Sequence, residues 1–181
     1  MPQTLLALAA VATFGVVAFN QQRADADVET KAISLAADLA AADLAEERMA
    51  EILLAHAWDE EDTRAAGPPA LRTTKPMSGI GPDNNADGHE TDPSLYDDID
   101  DFDRLATVHD RPAGTGTLTF QDSVSVVYVD PDDPDGPRSL GPTLVKRVEV
   151  FVDEVGARGR RGATVRLRRV ASAADHDPHR R

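Results

Sequence analysis

Apolar and polar positions follow two rhythms along this chain, and the change from one to the other divides it. Residues 4–19 (TLLALAAVATFGVVAF) contain no ionisable side chain. A helix over that run measures about 24 Å at about 1.5 Å per residue, just short of a hydrocarbon core of about 30 Å. Beyond it Val28, Ala32, Leu35, Leu39, Ala42, Met49 and Leu53 recur at three- and four-residue steps, omitting Glu46, with Asp38, Asp43, Glu47, Arg48 and Glu51 between them. That is the stripe of an amphipathic helix. No proline stands between residues 3 and 68, so a single helix over residues 4–58, about 80 Å long, is expected. A joint at Gly15 or in the polar NQQR of residues 20–23 would give two helices instead. The alanines at 36, 37, 40, 41 and 42 favour helix and also let another element approach closely.

The helical rhythm ends at GPP, and residues 67–93 are rich in Gly, Pro, Asn and Asp, which reads as irregular connection. SLYDDIDDFDRL follows as a short acidic segment. The period then becomes two over residues 116–121, 124–130, 144–152 and 163–170. Val124, Val126 and Tyr128 fall on one face, as do Val148, Val150 and Val152, and Val165 and Leu167. DPDDPDGPRSLGP and GARGRRG supply the turns of an antiparallel meander. The expected fold is α+β, a long N-terminal helix packed on a small antiparallel sheet of three to four strands. Its parts are an apolar helix at 1–23, an amphipathic continuation at 24–62, an irregular acidic loop at 63–115, the sheet at 116–170 and a tail at 171–181.

Composition sharpens this. The 181 residues include no cysteine, which excludes disulfide scaffolds, thiol nucleophiles and cysteine-ligated zinc. The apolar fraction leans on Ala and Val, so the core is thin for the length. The net charge of −13 is polarised: residues 1–145 hold 27 acids and 9 bases, residues 146–181 hold 5 acids and 10 bases. Nucleic acid is not expected as a partner, because the acidic bulk repels phosphate. Arg158, Arg160, Arg161, Arg166, Arg168 and Arg169 could contact DNA, but such a strand is more often an outer sheet face, here one that meets an acidic neighbouring subunit.

Two acidic clusters could hold calcium. Asp83, Asn85, Asp87 and Gly88 match D-x-N-x-D-G, which sets oxygen ligands at alternate positions round a Gly turn. Ser94 stands where the closing Glu of a complete loop belongs, leaving Glu90, Asp92 or Asp97 to close it. Asp130, Asp132 and Asp135, with Asp133 and Gly136, form a weaker candidate. A solvated acidic loop explains both clusters equally well. His56, His89, His109, His176 and His179 stand in no catalytic spacing, and no nucleophile elbow or phosphate-binding loop occurs, so an enzyme is not expected.

The order of apolar helix, amphipathic extension, irregular loop, DDIDDF (residues 97–102), VSVVYV (residues 124–129) and KRVEV (residues 146–150) resembles the type IV pilin and pseudopilin superfamily. The pattern is most similar to mannose-sensitive haemagglutinin-type minor pilins. The resemblance covers most of residues 1–170. It implies a subunit whose N-terminal helix enters the membrane before assembly and then bundles into a helical filament at the cell surface or in the periplasm, with copies of itself or other pilin-like subunits. Leu5, Leu6, Leu8, Val11, Phe14, Val17, Phe19, Leu35 and Leu39 are the expected assembly interface. Some pseudopilins bind calcium in this chain region, so calcium is the one cofactor the resemblance implies. If Met1 is the mature start, Leu5 occupies the place where the superfamily typically carries Glu. The alternative expectation is a membrane-anchored or secreted calcium-binding module that does not polymerise.

Overall fold

A computed structural model describes residues 2–55, 80–82, 84–85, 88–89, 92–96, 98–113, 116–157 and 162–172. The side chains of residues 2–9, 84–85 and 88–89 are not among those described. One continuous helix, α1 (Pro2–Leu54), carries the apolar and amphipathic segments together. The two-helix alternative is therefore overturned. Gly15 has no tertiary neighbour, and NQQR is polar but not helix-breaking, so neither interrupts the backbone ladder.

The sheet has five strands, not the expected three to four, and every pairing is antiparallel. After a two-residue ladder, β1 (Asn84–Asn85) and β2 (Gly88–His89), come β3 (Ala106–Ala113), β4 (Gly116–Asp130), β5 (Asp133–Arg138), β6 (Val145–Val155) and β7 (Thr164–Ser172). The spatial order is β3-β4-β6-β7, with β5 pairing only the far end of β4 past an irregularity at Val129/Asp130. Residues 116–121 and 124–130, expected as two strands, form the single β4. The polar residues between them do not break it, because Asp122 points inward and is buried by a partner on α1.

Strand β3 lies within the stretch expected to be irregular. Three of its four inward positions, Thr107, His109 and Arg111, are polar and the fourth is Ala113, so it lacks the apolar alternation that marks a half-buried strand. The sequence of β5, DPDGPR, has almost no strand formers; it pairs because the turn after β4 returns it alongside.

The expected apolar faces hold. Val124 pairs with Val150 and Val126 with Val148 across β4 and β6, and Val150 with Leu167 and Val152 with Val165 across β6 and β7. Against this face α1 lays Ala37, Ala41, Leu44, Ala45, Met49 and Ile52, all buried. The face laid on the sheet shares Met49 with the apolar stripe but leaves Leu35 and Leu39, expected at the assembly interface, on the far side. Leu35 and Leu39 are 61% and 59% exposed, since Leu35 stands about 200° round the helix from Ala37. The alanines win the sheet contact because their small side chains let the helix sit close over β6 and β7.

Candidate functional site

Three features have chemistry to offer: the free half of α1, a buried charged cluster under the acidic motif, and the outer face of the sheet.

Docking of α1 begins near Ala37. From residue 10 to residue 33 every side chain is exposed apart from half-buried Ala18. Val11, Phe14, Val16, Val17 and Phe19 are each at least half exposed, as is Val28. Of the expected assembly residues, Val11, Phe14, Val17, Phe19, Leu35 and Leu39 are therefore uncovered by their own chain; Leu5, Leu6 and Leu8 lie on the helix, but their side chains are outside the described residues. Among the described residues, no helix is long and apolar enough to cross a membrane. Part of the apolar run falls within residues 2–9.

The docked, C-terminal part of α1 is held to the sheet by polar contacts as well as by its apolar face. Arg48 donates from Nε to Asp122 Oδ2 at 2.7 Å, from Nη2 to Thr107 Oγ1 at 3.2 Å and from Nη1 to Glu51 Oε2 at 2.5 Å. The other oxygen of Asp122 accepts from Thr107 N at 3.0 Å and faces His109 Nε2 at 3.3 Å. Burial works to lower the Arg48 pKa, but the hydrogen bonds and charges of Asp122 and Glu51 outweigh it and raise the value. Arg111 adds an exposed pair with Glu47 at 2.7 Å. One guanidinium thus ties helix, β3 and β4 together.

The acidic motif is not a solvated loop. Asp98, Ile99, Asp100, Asp101 and Phe102 are all buried, while Asp97 lies outside the described residues. A single 3-10 turn at Asp100–Phe102 folds the segment back. Asp98 Oδ1 accepts from Asp100 N at 2.7 Å and from Asp101 N at 3.3 Å, and Asp101 Oδ2 accepts from Asp98 N at 3.1 Å. Phe102 meets Tyr96 edge-on, with ring centroids 5.1 Å apart. The counter-charge is Lys146 of β6, 1% exposed, whose Nζ donates to Asp100 Oδ1. That ammonium also stands 5.9 Å from the centroid of the buried Tyr128 ring. Burial, followed by the charge of Asp100, pushes the Asp98 carboxyl up to about 8 against the opposing effect of Lys146. Asp103, just beyond, is also raised, chiefly by burial, and accepts from Val126 N at 2.9 Å.

Sequence reasoning did not select Lys146, Asp122 or Arg48 as a group. A signal existed: Lys146 shares the inward parity of Val148, Val150 and Val152, and Asp122 shares that of Val124 and Val126. An ionisable residue at an inward strand position requires a buried partner.

On the opposite face, Glu149 collects arginines. Its Oε1 lies 3.1 Å from Arg147 Nε and 3.0 Å from Arg168 Nε, and its Oε2 lies 2.6 Å from Arg166 Nη2. Arg168 also reaches Asp135 at 2.9 Å, and Arg166 lies over the Phe151 ring at 5.0 Å. Arg166 and Arg168 are thus engaged within their own chain. Arg158, Arg160 and Arg161 lie outside the described residues.

The calcium candidates fall only partly among the described residues. Asp83, Asp87 and Glu90 lie outside the described residues, and Asn85 is described only as backbone of β1. Asp92 caps a 3-10 turn, accepting from Ser94 N at 3.0 Å, and that hydrogen bond holds its carboxyl below the usual range. Asp130 accepts from Asp132 N at 2.9 Å, whereas Asp135 is turned to Arg168. Among the described residues no three carboxylates or imidazoles are placed to share a metal ion. A groove of about 380 Å³ over β4 at the end of β5 is lined by Ile80, Asp103, Arg104, Ser125, Arg138 and Ser139 among others. Of its two serines, Ser125 and Ser139, the latter donates from Oγ to Gly141 O at 2.9 Å.

No protein-family model matches this chain, and no curated protein or solved structure gives a significant match.

Proposed function

We propose that this chain is a pilin-like structural subunit, which polymerises through the N-terminal part of α1 into a cell-surface or secretion-system filament, or primes one. The observation that carries the reading is a helix held to its own sheet only from about Ala37 onward, with Val11, Phe14, Val16, Val17 and Phe19 left uncovered. Fully burying five such side chains is worth on the order of 10 kcal/mol per subunit before the entropy of association is subtracted. An isolated monomer forgoes that energy. A bundle of the same helices recovers it, and Leu35 and Leu39 extend the contact along the side of α1 that faces away from the sheet. The membrane is the natural store for such a segment before assembly. Charge polarity adds orientation, since the excess of bases after residue 145 complements the acids before it.

The test is negative-stain microscopy of the intact protein, purified and after shearing from cells. Filaments that disappear when Phe14 and Phe19 are both changed to Asp support the reading. Dispersed monomers whose head needs no detergent would sink it, and calcium uptake by such monomers in calorimetry would point instead to a non-polymerising calcium-binding module.

A further inference from the structure

We propose that Lys146 and Asp100 become joined by an intramolecular isopeptide bond, with Asp98 as the proton relay that promotes it. The geometry already holds the parts. The Lys146 amine and the Asp100 carboxyl are 1% and 0% exposed and in direct hydrogen-bonded contact. Asp98, 2% exposed, accepts from the backbone N–H of Asp100 at 2.7 Å, which sets its carboxyl next to that residue. The buried Tyr128 ring lies 5.9 Å from the Lys146 amine.

Three physical effects favour condensation here. A buried ammonium and carboxylate retain a desolvation penalty that their mutual attraction only partly offsets, whereas an amide carries no net charge. Transfer of one proton from Nζ within the pair gives the neutral amine and the neutral acid, the form that reacts. Side chains fixed in contact react with effective molarities on the order of 10⁵ M or more, and the dry surroundings remove the water that would favour hydrolysis. Asp98 supplies the remaining need, a carboxyl that is still protonated at neutral pH beside the leaving oxygen.

The step balances without a co-reactant. The Nζ lone pair forms the N–Cγ bond while the carbonyl π pair moves onto oxygen. Asp98 gives its proton to the hydroxyl that departs and recovers one from Nζ, and the Cγ–O bond breaks with release of water. Lysine and aspartate become one secondary amide, nothing is oxidised or reduced, and Asp98 ends as it began. The cross-link would tie the acidic turn to β6 across 46 positions of chain, whichever way the subunit assembles.

Denatured full-length protein should weigh one water less than its sequence. A tryptic digest should contain residues 73–104 joined to residues 139–147, uncleaved after Lys146. Asp98→Asn keeps the acceptor for the Asp100 and Asp101 amides, so it should fold by circular dichroism yet regain the full mass. Lys146→Met serves as the control for position. A wild-type chain of full mass with ordinary cleavage after Lys146 overturns the proposal, even if neither variant folds. Equal cross-linking in Asp98→Asn overturns the role given to Asp98.

Discussion

Replacing Asp122 by Ala tests whether the helix is fixed to the sheet by the charged clamp or by the apolar stripe alone. The change removes the acceptor of Arg48 Nε and strands the Thr107 N–H, both of which now have bonds of 3.0 Å or less. Asp122 is 2% exposed and the Arg48 side chain 11%. Breaking a buried pair on one side costs about 3–5 kcal/mol. Glu51, half exposed, and Thr107 Oγ1 still hold the guanidinium, which places the expected loss at the lower end, about 3 kcal/mol, with a drop in Tm of roughly 6–12 °C. Urea unfolding followed by circular dichroism measures it. Arg48→Leu with Asp122→Ala should cost less than the two single changes summed, by about 1 kcal/mol or more, because the double variant leaves no orphaned charge. A loss below about 1 kcal/mol for Asp122→Ala, or strict additivity, would refute the clamp.

Three further outcomes are expected. The Asp98 carboxyl binds its proton more tightly folded than unfolded, so the stability it contributes is complete below about pH 4 and lost as pH rises to about 8, at up to about 1.4 kcal/mol per unit; urea midpoints at pH 5, 6, 7 and 8 should fall accordingly in the wild type, and an equally steep fall in Asp98→Asn would contradict the assignment. Ile52→Ala empties a fully buried position between helix and sheet and should cost about 2–5 kcal/mol in the same unfolding assay. Leu35→Asp with Leu39→Asp should leave the Tm within a few degrees, since both side chains are exposed, yet should abolish sedimentation of assembled material if the free side of α1 is an interface.

Local pattern was enough for the elements whose energetics are local or periodic. The uninterrupted run from Pro2 to Leu54 announces one helix through composition and the absence of proline, and the valines of β4 and β6 announce their inward face through period two. Local pattern failed at β3, whose inward residues are mostly polar because they face Arg48 and Glu47, and at β5, whose prolines and aspartates resemble a turn. It left open which side of α1 meets the sheet; the choice is decided by volume, which favours Ala37, Ala41 and Ala45 over β6 and β7. Exposure of Leu35 and Leu39 follows from that choice.

The acidic motif marks the division most clearly. By itself the sequence determined that residues 83–103 concentrate nine acids without a Lys or Arg, and repulsion within such a segment argues for water or a cation around it. Tertiary structure instead brought Lys146 from β6 and sealed Asp98, Asp100 and Asp101 inside. Charge pairing depends on distance in space, which a sequence specifies only through the fold, whereas helix and strand periodicity depend on neighbours along the chain.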